Sequence, residues 1–180
     1  MSHAKQFRKT LCVFVLCALA GAAEAFTQGT IFEEVGREKN LDPDLIYAVA
    51  LAESAYSESR DGLMQPHPWT LRTAKGPHYS RTKEEAQAAL KAILKKTKDV
   101  DVGLMQISVR WHAKRVSDPV KLLDPATNLR IGADILNEEI RRSPDDLIAA
   151  LGRYHSREAV RRTRYGMTVY NIYLSLKEQP

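Results

Sequence analysis

An all-α domain is the fold class this sequence predicts, on three observations. Side-chain-capped helix starts recur along the chain, the apolar residues between them fall at helical spacing, and sustained strand alternation is almost absent. Thr30-Ile31-Phe32-Glu33 reads as a capping box opening a first helix that runs to about Lys39, with Phe32 and Val35 on its buried side. Asp42-Pro43-Asp44 opens the second, which runs to Ser54: a side-chain oxygen for the cap, a proline where no N–H is needed, and an acid near the positive end of the dipole. Thr82-Lys83-Glu84-Glu85 is a second capping box, ahead of an amphipathic helix with Ala86, Leu90, Ile93 and Leu94 inside and Lys91, Lys95 and Lys96 outside. Asp124-Pro125 caps a long helix striped by Leu129, Ala133, Leu136 and Ile140. Ser143-Pro144-Asp145-Asp146 caps the next, where Ile148 and Leu151 lead toward Tyr154, and Val169, Ile172, Tyr173 and Leu176 make a last helix.

The amino-terminal end reads differently. Lys5, Arg8 and Lys9 precede an apolar run from Leu11 to Ala20, and Ala23-Glu24-Ala25 supplies a small-x-small site, the pattern of a secretory signal peptide (residues 1–25) cleaved after Ala25. The run is too short to span a bilayer, so no stable membrane insertion is expected. Both cysteines, Cys12 and Cys17, lie inside this segment, which leaves residues 26–180 without a disulfide, a thiolate metal site or a thiol nucleophile. That length suits one domain with one core. The formal charge is +5, and about +3 once Lys5, Arg8, Lys9 and Glu24 are removed. Such a balance suits an anionic polymer and is too weak to argue for nucleic acid.

Within Leu45-Ile46-Tyr47-Ala48-Val49-Ala50-Leu51-Ala52-Glu53-Ser54, residues Ile46, Val49, Ala50 and Glu53 share one helix face, the face that should pack inward. Burial favours the uncharged form of a carboxyl group, and a carboxylic acid that still holds its proton is what glycosidic bond cleavage requires. Taken alone, Glu53 fits better the polar end of a core helix turned toward solvent.

Glu53 is not alone. Ala50-Leu51-Ala52-Glu53-Ser54, then Gly103-Leu104-Met105-Gln106-Ile107, then Asp124-Pro125-Ala126-Thr127-Asn128-Leu129-Arg130-Ile131-Gly132-Ala133-Asp134-Ile135-Leu136, then Ala149-Ala150-Leu151-Gly152-Arg153-Tyr154 follow one another in the order of the soluble lytic transglycosylase (SLT) domain, which the chain resembles from Leu45 to about Ser156. The resemblance implies a lysozyme-like helical lobe, related to goose-type lysozyme. In most members the glutamate and the Gly-Leu-Met-Gln block stand closer together, so residues from about 55 to 102 read as an insertion. Asp61-Gly62-Leu63-Met64-Gln65 is a near copy of the block, but it runs into Pro66-His67-Pro68-Trp69, whose prolines would break a following helix, and the second copy is assigned the role.

Pro68-Trp69-Thr70-Leu71, the helix from Thr82 to Lys96, Asp101-Val102 before the block and Trp111-His112 after it resemble the specialised lytic transglycosylases of conjugation and type IV secretion systems. This narrower resemblance implies the periplasm as location, peptidoglycan glycan strands as substrate and subunits of a secretion apparatus as partners. Trp69 and Tyr79 fit either a loop anchor or a wall of the glycan groove.

The family's chemistry needs one carboxylate where ordinary glycosidases need two. Carried over, Glu53 would protonate the oxygen linking N-acetylmuramic acid to N-acetylglucosamine. It would then take the proton of the muramic C6 hydroxyl as that group attacks C1, leaving a 1,6-anhydro end. Gly103 and Leu104 would shape the turn, and Ile107 would pack beneath. Ser54, Met105, Gln106 and Tyr154 are the implied substrate-binding residues, with the Tyr154 hydroxyl approaching the Glu53 carboxyl. Where the family usually has Asn-x-Gly after this tyrosine, the chain has His155-Ser156-Arg157; His155 either replaces the family's hydrogen-bond donor or is a surface residue. No cofactor is expected. The histidines lack a zinc-site pattern, and the arginines from Arg153 to Arg164 read as a solvated face or a contact for stem-peptide carboxylates. Two other functions fit the same residues: a hydrolytic muramidase in which Asp99 or Asp101 positions water, and a non-catalytic wall-binding assembly factor.

Overall fold

The computed structural model describes Thr27, residues 29–58 and residues 62–178. The expected cleavage site after Ala25 lies outside the described residues, as does Asp61. Helix α1 (Ile31–Lys39) begins at Thr30, whose hydroxyl accepts from Phe32 N, while Glu33 accepts from Gly29 N. Helix α2 (Pro43–Ser54) begins at Asp42, which accepts from Asp44 N. It is buried almost all round: Ile46, Ala48, Val49 and Ala50 are wholly inaccessible.

The inserted segment contains strands that the sequence pattern does not announce. β1 (Ala55–Tyr56) pairs with β2 (Gln65–Pro66), and β3 (Thr70–Thr73) with β4 (Gly76–Tyr79). After helix α3 (Lys83–Leu94), β5 (Asp101–Val102) and β6 (Ile107–Ser108) join β3 to give an antiparallel sheet of order β4-β3-β5-β6. Leu71, Val102 and Ile107 form one cross-strand row, and Arg72, Asp101 and Ser108 the next. Because side chains alternate between the two faces of a strand, the first row is packed into the core while the second is presented together on the other face.

A single turn of helix, α4 (Val109–His112), and two 3₁₀ turns lead to α5 (Pro125–Arg142), α6 (Leu147–His155) and α7 (Ala159–Lys177), capped by Asp124, Asp146 and Glu158. The last helix starts ten residues before Val169, where the apolar pattern becomes visible in the sequence. α7 packs on α6 and α2, and α5 on α6 and α1, around a core that includes Val35, Ile46, Met105, Leu129, Leu136 and Leu151. The α7 end is fastened to the start of α2: Lys177 Nζ lies 2.9 Å from Asp42 and 2.8 Å from Asp44, and the Tyr173 hydroxyl donates to Asp42 at 2.8 Å. Among the described residues no helix is long and apolar enough to cross a membrane.

Candidate active site

Glu53 sits in the last turn of α2, 8% exposed, and Ser54 beside it is fully buried. The Ser54 hydroxyl proton is shared between the Ala50 carbonyl at 3.0 Å and the Leu104 carbonyl at 2.8 Å, so this side chain staples the end of the helix to the turn after β5. That turn, Gly103 to Gln106, is a four-residue hairpin loop. Gly103 has φ +82°, and a Cβ there would meet Asn128 Nδ2 at 2.3 Å, so both backbone shape and space require glycine. Gln106 is also left-handed, at φ 44°. Its Nε2 donates to the carbonyls of Gly103 and Thr70, at 2.8 and 3.1 Å, and Gly103 N donates to the same Thr70 carbonyl.

Asn128 of α5 holds the loop from below. It accepts from Met105 N at 2.8 Å and donates to the carbonyls of Val102 and Leu122 at 2.8 and 2.9 Å, while only 1% exposed. The family-like block at 124–136 contains this residue, yet its role was not readable from spacing. Met105 lies flat on α5 where Gly132 leaves room; a Cβ at Gly132 would strike Met105 Sδ at 2.2 Å.

Three expectations are corrected by this geometry. Met105 is fully buried, so its side chain supports the loop from within instead of facing a ligand. Ser54 likewise acts from beneath. The Tyr154 hydroxyl donates to the Met105 carbonyl at 2.8 Å, in place of the expected contact with the Glu53 carboxyl. Burial pushes the Tyr154 phenol well above its usual range, and the negative charges of Glu53 and Asp101 add to the effect.

The partner that does reach Glu53 is His155, whose Nδ1 lies 3.2 Å from Oε1. His155 lies at the surface, as one of its two readings has it, with its side chain 44% exposed, and it is engaged with the glutamate all the same. Its ring stacks on Tyr165 of α7, with centroids 4.3 Å apart and planes 3° from parallel. The Tyr165 hydroxyl is buried close to the Glu53 carboxylate without reaching hydrogen-bond geometry, and desolvation, then the Glu53 charge, holds this phenol well above its usual range. Hydrogen bonding to Glu53 raises the His155 imidazole above the ordinary histidine range, against desolvation and the charge of Arg72.

The opposite wall is the Arg72–Asp101–Ser108 row. Arg72 Nη2 is 3.4 Å from the Glu53 carbonyl. Burial pushes the Asp101 carboxyl up and the charge of Glu53 adds to this, while the Ser108 hydroxyl, Arg72 and His155 act the other way. The two aspartates offered by the sequence thus separate. Asp101 faces Glu53, whereas Asp99 is committed to an exposed ion pair with Arg110, whose hydrogen bond lowers it. Arg72 and Tyr165 carried no motif and were missed.

Other candidates fall away from the centre. Leu63 and Met64 of the first block copy are 85% and 53% exposed, in keeping with the choice of the second copy. Tyr79 stacks on Tyr56 at 4.7 Å and donates to the Ala55 carbonyl at 3.2 Å, and with His67 and Trp69 it pins the insertion to the end of α2, as a loop anchor does. Arg153 is spent on Glu139, at 3.0 Å. Among the described residues no cluster of three or more His, Asp or Glu could hold a metal ion.

A family model described as the transglycosylase SLT domain matches residues 30–165, a span that contains Glu53, the hairpin loop, Asn128, His155 and Tyr165. The chain belongs to this family. SLT domains are lysozyme-like, and the family's activity is lytic cleavage of peptidoglycan. Among curated proteins the SLT chain is similar to a "peptidoglycan-binding-like protein" of Escherichia coli O157:H7, 28% identical over 94% of this chain and 91% of that protein.

Proposed function

We propose that this protein is a peptidoglycan lytic transglycosylase that breaks the bond between N-acetylmuramic acid and N-acetylglucosamine without consuming water. The observation that carries the reading is the setting of Glu53, a nearly buried carboxyl at the end of an apolar helix, faced by a polar row on the inserted sheet. Glu53 donates its proton to the glycosidic oxygen as the C1–O bond breaks, and the substrate's N-acetyl group stabilises the cation-like C1. The Glu53 carboxylate then accepts the proton of the C6 hydroxyl as its oxygen closes on C1, which regenerates the acid. Held against C1 by the wall of the site, the internal hydroxyl outcompetes water through its high effective concentration. His155 borders the glycan, and Gln106, whose amide is turned inward onto the Gly103 and Thr70 carbonyls, shapes that border. Ser54, Met105 and Tyr154 support that border from beneath.

Export through a leader ending at Ala25 would deliver the enzyme to the periplasm, where amino-terminal sequencing should begin at Phe26. The narrower resemblance supports local opening of the wall for a conjugation or secretion apparatus, whose subunits would be its partners. One observation favours a second reading. Asp101 lies close enough to Glu53 for their charges to interact, and such a carboxylate could position water for hydrolysis. Incubation with purified sacculi tests both: release of soluble muropeptides supports wall cleavage, and the end left on muramic acid tells the two apart.

A further inference from the structure

His155 is the last residue of α6, where the helix dipole favours a cation. Its ring lies parallel on Tyr165, a face that stabilises an imidazolium more than an imidazole. Its Nδ1 meets Glu53 Oε1 at 3.2 Å. The groups facing it are Glu53 from α2, Asp101 from β5, Arg72 from β3 and Tyr165 from α7, with Tyr154 adjacent on its own helix. The two carboxylates draw a proton toward His155, and Arg72 opposes them. The proton on His155 is therefore held chiefly by its contact with Glu53.

Solvent reaches the pair unevenly. The His155 side chain is 44% exposed and that of Glu53 only 9%. In the open site water solvates the imidazolium, which favours the charged form of His155. A sugar laid over the pair removes that water. Desolvation disfavours both charges together, so the neutral form, carboxylic acid with imidazole, gains.

We propose that His155 is a positioning residue that stores the proton of the catalytic acid in the empty site and returns it from Nδ1 to Glu53 Oε1 when the glycan covers the pair. The transfer leaves the net charge of the pair at zero and needs no outside acid. Because the proton rests on an imidazole whose hold on it Glu53 strengthens, the empty site stays loaded to a higher pH than an unpartnered histidine would allow. This inference rests on the lytic reading of Glu53, but part of its test does not.

The first measurement follows the imidazole ring by NMR through a pH titration of the full mature chain without substrate. The His155 signals are assigned by their loss in His155→Gln, which separates them from His67, His78 and His112. The expected result is a midpoint above the ordinary histidine range in the wild type that falls by about one pH unit or more in Glu53→Gln. The second is the pH profile of muropeptide release from sacculi. His155→Gln can still hydrogen-bond Glu53 but carries no proton, so its basic limb should move to lower pH by about one unit or more. A His155 midpoint indifferent to Glu53→Gln would overturn the pairing. A His155→Gln profile superimposed on that of the wild type would overturn the return of the proton. If the titration is Glu53-dependent but the wild type releases no muropeptides, the shared proton stands and the lytic reading fails.

Discussion

The two walls of the site are built by different means. The α2 wall is a helix end buried in the common core, where Glu53 is carried by wholly inaccessible neighbours and stapled by Ser54. The opposite wall is the face of a narrow sheet whose strands are two to four residues long, with the polar row Arg72, Asp101 and Ser108 backed by a single buried row. The helix side holds the acid in place through packing. The sheet side surrounds it with charges, which can change without disturbing the core. Substitutions on the first wall should therefore cost stability, those on the second should alter activity and pH response, and Glu53, which belongs to both, should separate the two readouts most widely.

The largest effect is expected from Glu53→Gln. The amide keeps shape but has no proton to give, so release of muropeptides should fall by roughly a thousandfold or more while the melting temperature stays close to that of the wild type. Appreciable residual activity would remove Glu53 from its role. Asn128→Ala is next, a lesion of the packed side alone. It strands Met105 N and the carbonyls of Val102 and Leu122 in a buried setting, and should cost about 3 kcal/mol in denaturant unfolding. Asp101→Asn probes the sheet side. Stability should hardly change, the rate should fall on the order of tenfold, and the His155 midpoint should move down because a raising charge is gone. A large loss of stability there would show that the sheet face is structural and end the contrast. Tyr154→Phe removes one hydrogen bond, to the Met105 carbonyl, and should cost about 1 kcal/mol with a similarly small change in rate.

The smallest effect lies far from either wall. Lys177 is pushed well above the ordinary lysine range by its hydrogen bonds to Asp44 and Asp42. Asp42, although desolvation opposes it, is held below the usual carboxylate range by Lys177, Tyr173 and Asp44 N. A raised ammonium stabilises fully below its unfolded value and loses that contribution only as pH rises through the folded one. A lowered carboxylate stabilises above its unfolded value and loses its contribution as pH falls through the folded one. Across the neutral range both contributions are intact. Because the ammonium is 43% exposed and screened, Lys177→Ala should cost at most about 1 kcal/mol at pH 7. The difference from wild type should shrink once acid protonates Asp42, which parallel melts at pH 7 and pH 2 would reveal.

The same contrast explains what was legible in the sequence. Caps are local signals, and Asp42, Thr82 and Asp124 each accept from a backbone N–H two or three residues ahead, so the helices they open could be read from short windows. α7 is legible only from Val169 onward, because its first half is rich in exposed arginines and Val160 points outward, so no apolar stripe marks it. Strands of two to four residues carry too few alternations to register, and the facing of Arg72 and Asp101 depends on pairing between distant segments. Glu53 could be singled out because it sits at helical spacing behind an apolar run. His155 could be noticed only as a departure from a family pattern, since it meets Glu53 across 102 positions, and the ring of Tyr165 that orients it lies on another helix.

The most direct test is the chemistry of the new chain end. Purified sacculi digested by the wild-type protein should yield muropeptides whose muramic acid ends in the 1,6-anhydro form, lighter by one water than the hydrolytic product, as read by mass spectrometry of unreduced digests. Glu53→Gln should yield neither form. Muropeptides with ordinary reducing ends, lost in Asp101→Asn, would contradict the account and make the chain a muramidase in which Asp101 positions the attacking water.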